Sequence, residues 1–149
     1  MAKETKTEAL TAEEAAKQYT NSLVEKALKA EKIYATYTQE QVDKIVAAMA
    51  LAGSEASLQL AKEAHEETGR GVVEDKDTKN HFATEYVYER IKNEKTVGII
   101  GEDKVAGSIE IAAPLGVLAG IVPTTNPTST TMFKILVALK TRNAIVFAF

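Results

Sequence analysis

The chain has 149 residues, no cysteine and a formal net charge of −3 at pH 7. This length is sufficient for one hydrophobic core, so a single domain is expected. The acidic balance gives no reason to expect nucleic acid as a partner. The absence of cysteine excludes disulfides, thiolate metal sites and a thiol nucleophile from this chain.

The sequence predicts neither a targeting signal nor a membrane span. Its first ten residues, MAKETKTEAL, lack the apolar core of a signal peptide. No apolar run reaches the length that a membrane-spanning helix requires. We therefore expect a cytoplasmic protein without a membrane partner, in which residues 1–10 form a flexible N-terminal tail.

Amphipathic helices are predicted for the first two thirds of the chain, which hold most of the charged residues. Thr11 and Glu14 have the spacing of a capping box and predict a helix that runs to about Tyr34. Thr38 and Gln41 predict the start of a second helix in the same way. All the helices predicted before the first strand, including the two described next, are interpreted as scaffold.

Two further helices are expected before the first strand. The pair Gly53-Ser54 is expected to interrupt the second helix, and Ser54 to cap a third. That third helix is expected to end near Thr68, because Gly69-Arg70-Gly71 follows it. Residues 74–92 predict a fourth helix.

The following residues predict a β-hairpin with arms at 96–100 and 104–112 around a turn at 101–103. In the second arm, Ile109 and Ile111 alternate with polar residues, which is typical of a strand with one face in water. Such a hairpin is either an ordinary sheet edge or a surface that pairs with another subunit or domain. The pattern favours neither interpretation.

A strand–helix–strand unit is predicted for the end of the sequence. Residues 117–122 and 144–149 are unbroken apolar runs, typical of parallel strands covered on both faces. Between them, Asn126 stands at the N-cap position and Pro127 at the first helical position. Asn143 is expected to end the helix in the left-handed conformation, and the crossover is expected to be right-handed.

The turn between that first strand and the helix is the candidate site. Thr124, Thr125, Asn126 and Thr128 place hydroxyl and amide groups at the carboxyl end of a parallel strand, beside a helix N-terminus. Open α/β sheets bind ligands at this position, where backbone N–H groups suit a phosphate or a developing oxyanion. The same residue types also serve as ordinary helix caps, and their spacing leaves both readings open.

No metal site is predicted. His65 and His81 are far apart in sequence and lack a cluster of further ligands. The stretch 65–69, HEETG, has no second histidine of the kind found on zinc-protease helices. Both histidines are therefore interpreted as surface or partly buried residues.

Residues 116–130, GVLAGIVPTTNPTST, resemble the CoA-acylating branch of the aldehyde dehydrogenase superfamily. Further stretches agree with this family: residues 37–45, 73–76, 79–86, 133–134 and 139–146. The segment PTTNPT at 123–128 is specific to the acylating branch, because other aldehyde dehydrogenases carry a Trp-Asn pair there. Within the branch, the chain is most similar to the N-terminal part of the bifunctional aldehyde–alcohol dehydrogenases.

The resemblance implies an α/β fold, in which residues 11–149 are the N-terminal portion of a Rossmann-like NAD-binding domain, incomplete after its first strand–helix–strand unit. The family converts acetaldehyde, CoA and NAD reversibly into acetyl-CoA and NADH, and in fermentation it runs toward the aldehyde. A cysteine attacks the aldehyde, hydride passes to NAD, and CoA takes up the acyl group. NAD is thus the implied cofactor, and CoA and a small aldehyde are the implied substrates.

The resemblance also assigns roles to particular positions. Cofactor contacts are implied for the strand end and turn, namely Ile121, Val122, Pro123, Thr124, Thr125 and Asn126. Asn126 is the implied catalytic residue, which donates a hydrogen bond to the carbonyl oxygen of the substrate. The hairpin at 96–112 resembles the oligomerisation arm of the family and implies a homo-oligomer.

One departure from the family is decisive for the activity of this chain. The nucleophilic cysteine of the family belongs to a later domain, and this sequence contains no cysteine. We therefore expect an N-terminal fragment of such an enzyme, inactive by itself. The alternative is a non-catalytic, truncated interaction module that binds intact subunits through its hairpin or its exposed sheet.

Overall fold

The computed structural model describes residues 11–149, so the predicted tail at residues 1–10 lies outside the described part. The helices are α1 (Ala12–Tyr34), α2 (Gln39–Glu55), α3 (Ser57–Thr68), α4 (Val73–His81), α5 (Val87–Ile91) and α6 (Pro127–Lys140). A π-helical segment, Phe82–Tyr86, joins α4 directly to α5. The strands are β1 (Gly98–Asp103), β2 (Ser108–Ala112), β3 (Val117–Ile121) and β4 (Ala144–Ala148).

Both predicted capping boxes are present. The Thr11 hydroxyl accepts from the backbone N–H of Glu14, whose carboxylate accepts from the backbone N–H of Thr11. Thr38 and Gln41 make the same reciprocal pair at the start of α2. These contacts satisfy two N–H groups that the helix itself leaves without partners, so each helix begins where its box predicts.

The predicted break at Gly53-Ser54 is wrong. Helix α2 continues through both residues to Glu55, and α3 starts at Ser57. A Cβ atom at Gly53 would lie 2.7 Å from Cγ2 of Thr84 in the π-helical segment, so this glycine permits close helix packing. The hydroxyl of Ser54 donates to Oε1 of Glu85 at 2.6 Å and caps no helix.

The hairpin is present, but its turn lies later than predicted. β1 and β2 pair antiparallel, with Ile99 opposite Ile111, and the predicted turn residues Gly101–Asp103 belong to β1. The Asp103 carboxylate accepts from the backbone N–H groups of Val105 and Ala106 at 2.9 and 3.0 Å, which places the turn after it.

The predicted strand–helix–strand unit is confirmed. β3 and β4 are parallel neighbours, with Val117 opposite Ala144, and α6 begins with Pro127 at its first position. The left-handed residue after α6 is Arg142, with φ 59°, and not Asn143 as predicted.

Asn143 has a different function in the fold from the predicted helix stop. It is buried, and its Oδ1 accepts from the backbone N–H groups of Leu115 and Gly116 at 2.6 and 2.9 Å. The side chain therefore ties the start of β4 to the entry of β3. Backbone N–H groups away from water require hydrogen-bond acceptors, and the buried Asn143 amide is the acceptor for both of these groups.

The hydrophobic core lies between α2 and α6. Its buried members are Val42, Val46 and Ala50 of α2 and Leu136 of α6. Among residues 11–149 the β3–β4 sheet is not covered on both faces, as expected for two parallel strands with a single crossover helix: Ile121 is 74% exposed and Ala119 is also exposed. Within this described range, no helix is long and apolar enough to cross a membrane.

Candidate functional site

The β3–α6 turn, residues 122–126, lies at the carboxyl end of the parallel strand β3, as predicted. The backbone N–H of Val122 donates to the carbonyl of Ala148 at 2.8 Å, which extends the pairing with β4 to this residue. The backbone N–H of Asn126 donates to the carbonyl of Pro123 at 3.3 Å and closes the turn. Thr124 and Thr125, between them, are exposed.

Helix α4 holds this turn through three polar residues on one face, Lys76, Lys79 and Asn80, here called the α4 clamp. The buried ammonium of Lys76 donates to the carbonyl of Thr125 at 3.0 Å. The ammonium of Lys79 donates to Oδ1 of Asn126 at 3.1 Å. The spacing i, i+3, i+4 puts all three residues on the same side of a helix.

Asn80 completes the α4 clamp on the first turn of α6. Its Oδ1 accepts from the Thr128 hydroxyl at 2.8 Å, and its Nδ2 donates to the carbonyl of Ser57 at 3.0 Å. The side chain is fully buried, so both ends of the amide are satisfied, as burial requires. Sequence reasoning treated α4 as scaffold and missed the clamp. The only local signal was three polar residues on one face of a helix without an apolar stripe.

Asn126 occupies the predicted N-cap position, but its side chain makes no capping hydrogen bond. Its backbone, at φ −139° and ψ 61°, is outside the extended geometry of an ordinary N-cap. Its Oδ1 accepts from Lys79, and its Nδ2 lies 3.5 Å from the Thr125 hydroxyl. The reading of Asn126 as an ordinary helix cap is therefore wrong, and its amide nitrogen makes only this long contact within residues 11–149.

A groove of about 290 Å³ adjoins the Asn126 amide; we call it the Asn126 groove. It is lined by two aromatic side chains, an alanine and four polar side chains: Phe82, Phe133, Ala83, Lys79, Asn126, Ser129 and Thr130. Phe82 and Phe133 are 62% and 46% exposed. The groove combines apolar walls with polar groups that include the Asn126 amide, and such a lining suits a small, mostly apolar molecule that carries a hydrogen-bond acceptor.

A larger cavity of about 550 Å³ lies at the same end of the sheet, among α2, α3 and α6. Pro123 and Thr124, which follow β3, line it together with Phe149, which follows β4. The carboxyl ends of both parallel strands therefore open onto it. This is the position at which open α/β sheets bind nucleotide cofactors.

The six predicted cofactor residues differ in the exposure of their side chains. Ile121, Pro123, Thr124 and Thr125 are exposed, whereas the Val122 side chain is buried at 5% exposure. The carbonyl of Ile121 accepts from the ammonium of Lys134, so this strand end is also held from α6. Contact with a cofactor stays a prediction for all six residues.

The two histidines do not form a metal site. Residues 11–149 contain no group of three or more histidine, aspartate and glutamate side chains arranged to hold a metal ion. His81 lies between Asp77 and Glu85, with Nδ1 2.8 Å from Glu85. The Ser54 hydroxyl and then His81 hold the pKa of Glu85 below its usual range by hydrogen bonding to its carboxylate.

Comparison with known proteins identifies the family of this chain. The model of the aldehyde dehydrogenase family matches residues 2–148. The bifunctional aldehyde-alcohol dehydrogenase of Escherichia coli K12 is 59% identical over 128 residues, which cover 86% of this chain and 14% of that protein. This chain belongs to the aldehyde dehydrogenase family.

Two solved aldehyde dehydrogenase structures are similar to this chain in both fold and sequence. The acetylating aldehyde dehydrogenase of Geobacillus thermoglucosidasius matches with a TM-score of 0.86 and 53% identity, over 87% of this chain and 29% of that one. The propionaldehyde dehydrogenase of Rhodopseudomonas palustris with bound propionyl-CoA matches with a TM-score of 0.67 and 28% identity, over 85% and 28%. The chain thus spans less than a third of each of these relatives.

Proposed function

We propose that this chain is the N-terminal part of an NAD-dependent, CoA-acylating acetaldehyde dehydrogenase of fermentative ethanol metabolism. The complete enzyme would interconvert acetaldehyde, CoA and NAD with acetyl-CoA and NADH. The observation that carries the proposal is the Asn126 amide, which is withheld from helix capping and lines a groove at the carboxyl end of β3. The similarity to acylating relatives supports the reaction class.

In this proposal, Asn126 donates a hydrogen bond from Nδ2 to the oxygen of the aldehyde carbonyl. Negative charge develops on that oxygen when a nucleophile attacks the carbonyl carbon. A donor already aimed at the oxygen stabilises this charge more than it stabilises the bound substrate, which lowers the barrier. The apolar walls formed by Phe82 and Phe133 suit the alkyl part of the aldehyde.

The cofactor role proposed for Ile121–Asn126 rests on what these residues present. Ile121 and Pro123 supply exposed apolar surface, and Thr124 and Thr125 supply hydroxyl groups, at one end of the sheet. This combination fits the flat ring and the polar carboxamide of a nicotinamide. When bound, NAD would accept a hydride from the substrate, and CoA would accept the acyl group.

A homo-oligomer is also proposed, with the hairpin of β1 and β2 as its contact surface. Ile99, Ile109 and Ile111 are 51%, 56% and 68% exposed, and the hairpin is a separate two-stranded sheet. An isolated two-stranded hairpin is only marginally stable in water. Pairing with another strand, or burial against another subunit, would therefore stabilise this hairpin. Its edges offer unpaired backbone groups for such a contact.

The proposed reaction is tested with Asn126→Ala in the complete enzyme that contains this chain. Loss of one oxyanion donor should lower kcat by roughly 10- to 1000-fold and leave the KM for NAD nearly unchanged. Asn93→Ala, at an exposed asparagine after α5, is the matched control and should retain kcat. A kcat within about twofold of the parent for Asn126→Ala would show that the amide has no catalytic role.

A further inference from the structure

We propose that Lys79 is a positioning residue that fixes the orientation of the Asn126 amide for the carbonyl oxygen of the substrate. This inference rests on the proposed function, because it concerns the same amide. It adds a charged residue of α4 that lies 47 residues before Asn126 in the sequence. The Lys79 side chain lines the Asn126 groove together with that amide.

The Lys79 ammonium determines which end of the Asn126 amide faces a ligand. An asparagine side chain has a donor end and an acceptor end that are nearly equal in shape, so either end fits most sites. An ammonium group can only donate, and it therefore accepts only the oxygen end as its neighbour. With Oδ1 held 3.1 Å from the Lys79 ammonium, Nδ2 is the end that remains available to a ligand.

The positive charge of Lys79 also strengthens the Asn126 amide as a hydrogen-bond donor. A positive charge beside the amide oxygen draws electron density toward that oxygen and makes the N–H groups at the other end stronger donors. A reversed amide would instead present a partially negative oxygen to an oxygen that gains negative charge. The ammonium thus favours the one orientation that stabilises the transition state.

The second lysine of the α4 clamp, Lys76, holds the backbone of the same turn. Lys76 is only 4% exposed, and among residues 11–149 it forms no salt bridge. Burial of a charge without a counter-ion is costly, so its hydrogen bond to the Thr125 carbonyl has structural importance. Lys76 fixes the backbone just before Asn126, and Lys79 fixes the side chain. With the backbone of the turn fixed, the Asn126 amide can still rotate about its side-chain bonds. The hydrogen bond from Lys79 prevents this rotation.

The test uses the complete enzyme and four variants: Lys79→Met, Lys79→Arg, Asn126→Ala and the double variant Lys79→Met/Asn126→Ala. Lys79→Met should lower kcat by about 5- to 50-fold with less than about a twofold change in the KM for NAD. Lys79→Arg should restore most of kcat, because a guanidinium also only donates. Lys62→Met, at an exposed lysine on α3, is the matched control and should behave like the parent.

The double variant separates positioning from other effects. If Lys79 acts through Asn126, Lys79→Met causes no further loss once Asn126 is alanine. An equal loss in both backgrounds would show that Lys79 acts independently and would overturn the inference. If Asn126→Ala loses activity while Lys79→Met keeps it, the positioning role fails and the proposed function stands. If Asn126→Ala keeps full activity, the proposed role of Asn126 fails and this inference fails with it.

Discussion

The buried ammonium of Lys140 lies 2.7 Å from Oδ1 of Asp43 and joins the end of α6 to α2 across 97 residues of chain. The same ammonium donates to the carbonyl of Lys92 at 2.9 Å, just after α5. Lys140 is 3% exposed, whereas Asp43 is 40% exposed. The Lys140 ammonium therefore links α6, α2 and the end of α5 beside the core. Of the two side chains in the ion pair, only that of Asp43 is substantially exposed to water.

Lys140→Met should destabilise the protein, because it leaves a carboxylate and a carbonyl without their donor. We expect a loss of about 1–3 kcal/mol in the free energy of unfolding, measured by urea denaturation. Lys44→Met is the control, because the Lys44–Glu40 pair on the same helix is 75% and 78% exposed. It should change stability by less than about 0.5 kcal/mol. Equal effects of the two substitutions would contradict the importance of burial.

Gly53→Ala should destabilise the protein, although alanine favours helix over glycine by about 1 kcal/mol. The new Cβ would lie 2.7 Å from Cγ2 of Thr84, which is too close for an unstrained contact. Thr84→Ser removes that methyl group and retains the hydroxyl, which donates to the carbonyl of Asn80. The double variant should therefore recover stability in thermal unfolding. If the second substitution brings no recovery, the clash is not the cause.

The pH dependence of stability should include one tyrosine. Burial, followed by the proximity of Tyr37 and Asp43, raises the pKa of Tyr34 to about 12. In the unfolded chain a tyrosine titrates near pH 10. The folded state therefore holds this proton more tightly, and its contribution to stability is complete below about pH 10 and disappears as the pH rises toward about 12.

The measurement is urea denaturation at about pH 8 and pH 11, with Tyr34→Phe and Tyr19→Phe compared with the parent. Tyr34→Phe should lose the hydrogen bond to the Leu139 carbonyl at both values but show a smaller decline with pH. Tyr19 is 67% exposed, so its replacement should leave the decline unchanged. The same decline in all three proteins would rule out Tyr34 as the titrating group.

Ile111→Lys should weaken self-association if the hairpin is the contact surface between subunits. The substitution puts a charge at a 68% exposed apolar position, where desolvation on assembly would be costly. Glu110→Lys, on the opposite face of β2, is the control for the added charge. Sedimentation of the complete enzyme should show smaller assemblies for Ile111→Lys alone. Unchanged assembly of this variant would exclude that face of the hairpin as the interface.

The sequence by itself determined the elements whose signals are local. The capping boxes at Thr11 and Thr38 connect residues three positions apart, so their spacing alone predicted both helix starts. Pro127 marked the start of α6, and the apolar runs on either side of that helix predicted β3 and β4. The candidate turn was recognised for the same reason, because it rests on a short continuous segment, and the family was recognised from several such segments along the chain.

The tertiary structure decided every feature that depends on residues far apart in the chain. Glycine often interrupts a helix, so Gly53 suggested a break. In the structure, the π-helical segment about 30 residues later packs closely against Gly53, and the missing side chain permits this contact. Arg142 takes the left-handed conformation, and its guanidinium donates to the carbonyls of Ala35 and Ala112, which lie far away in the sequence. The Asn143 side chain accepts from the backbone just before β3.

The α4 clamp shows the same limit at the candidate site. Lys76 and Lys79 are separated by 49 and 47 residues from the groups that they bind, and no spacing within α4 identifies those partners. Long polar side chains on a helix are equally compatible with solvent and with a distant acceptor. Only the packing of α4 against α6 brings the ammonium of Lys79 to the Asn126 amide. That contact occupies the amide oxygen, and among residues 11–149 it leaves the amide nitrogen with only the long contact to the Thr125 hydroxyl.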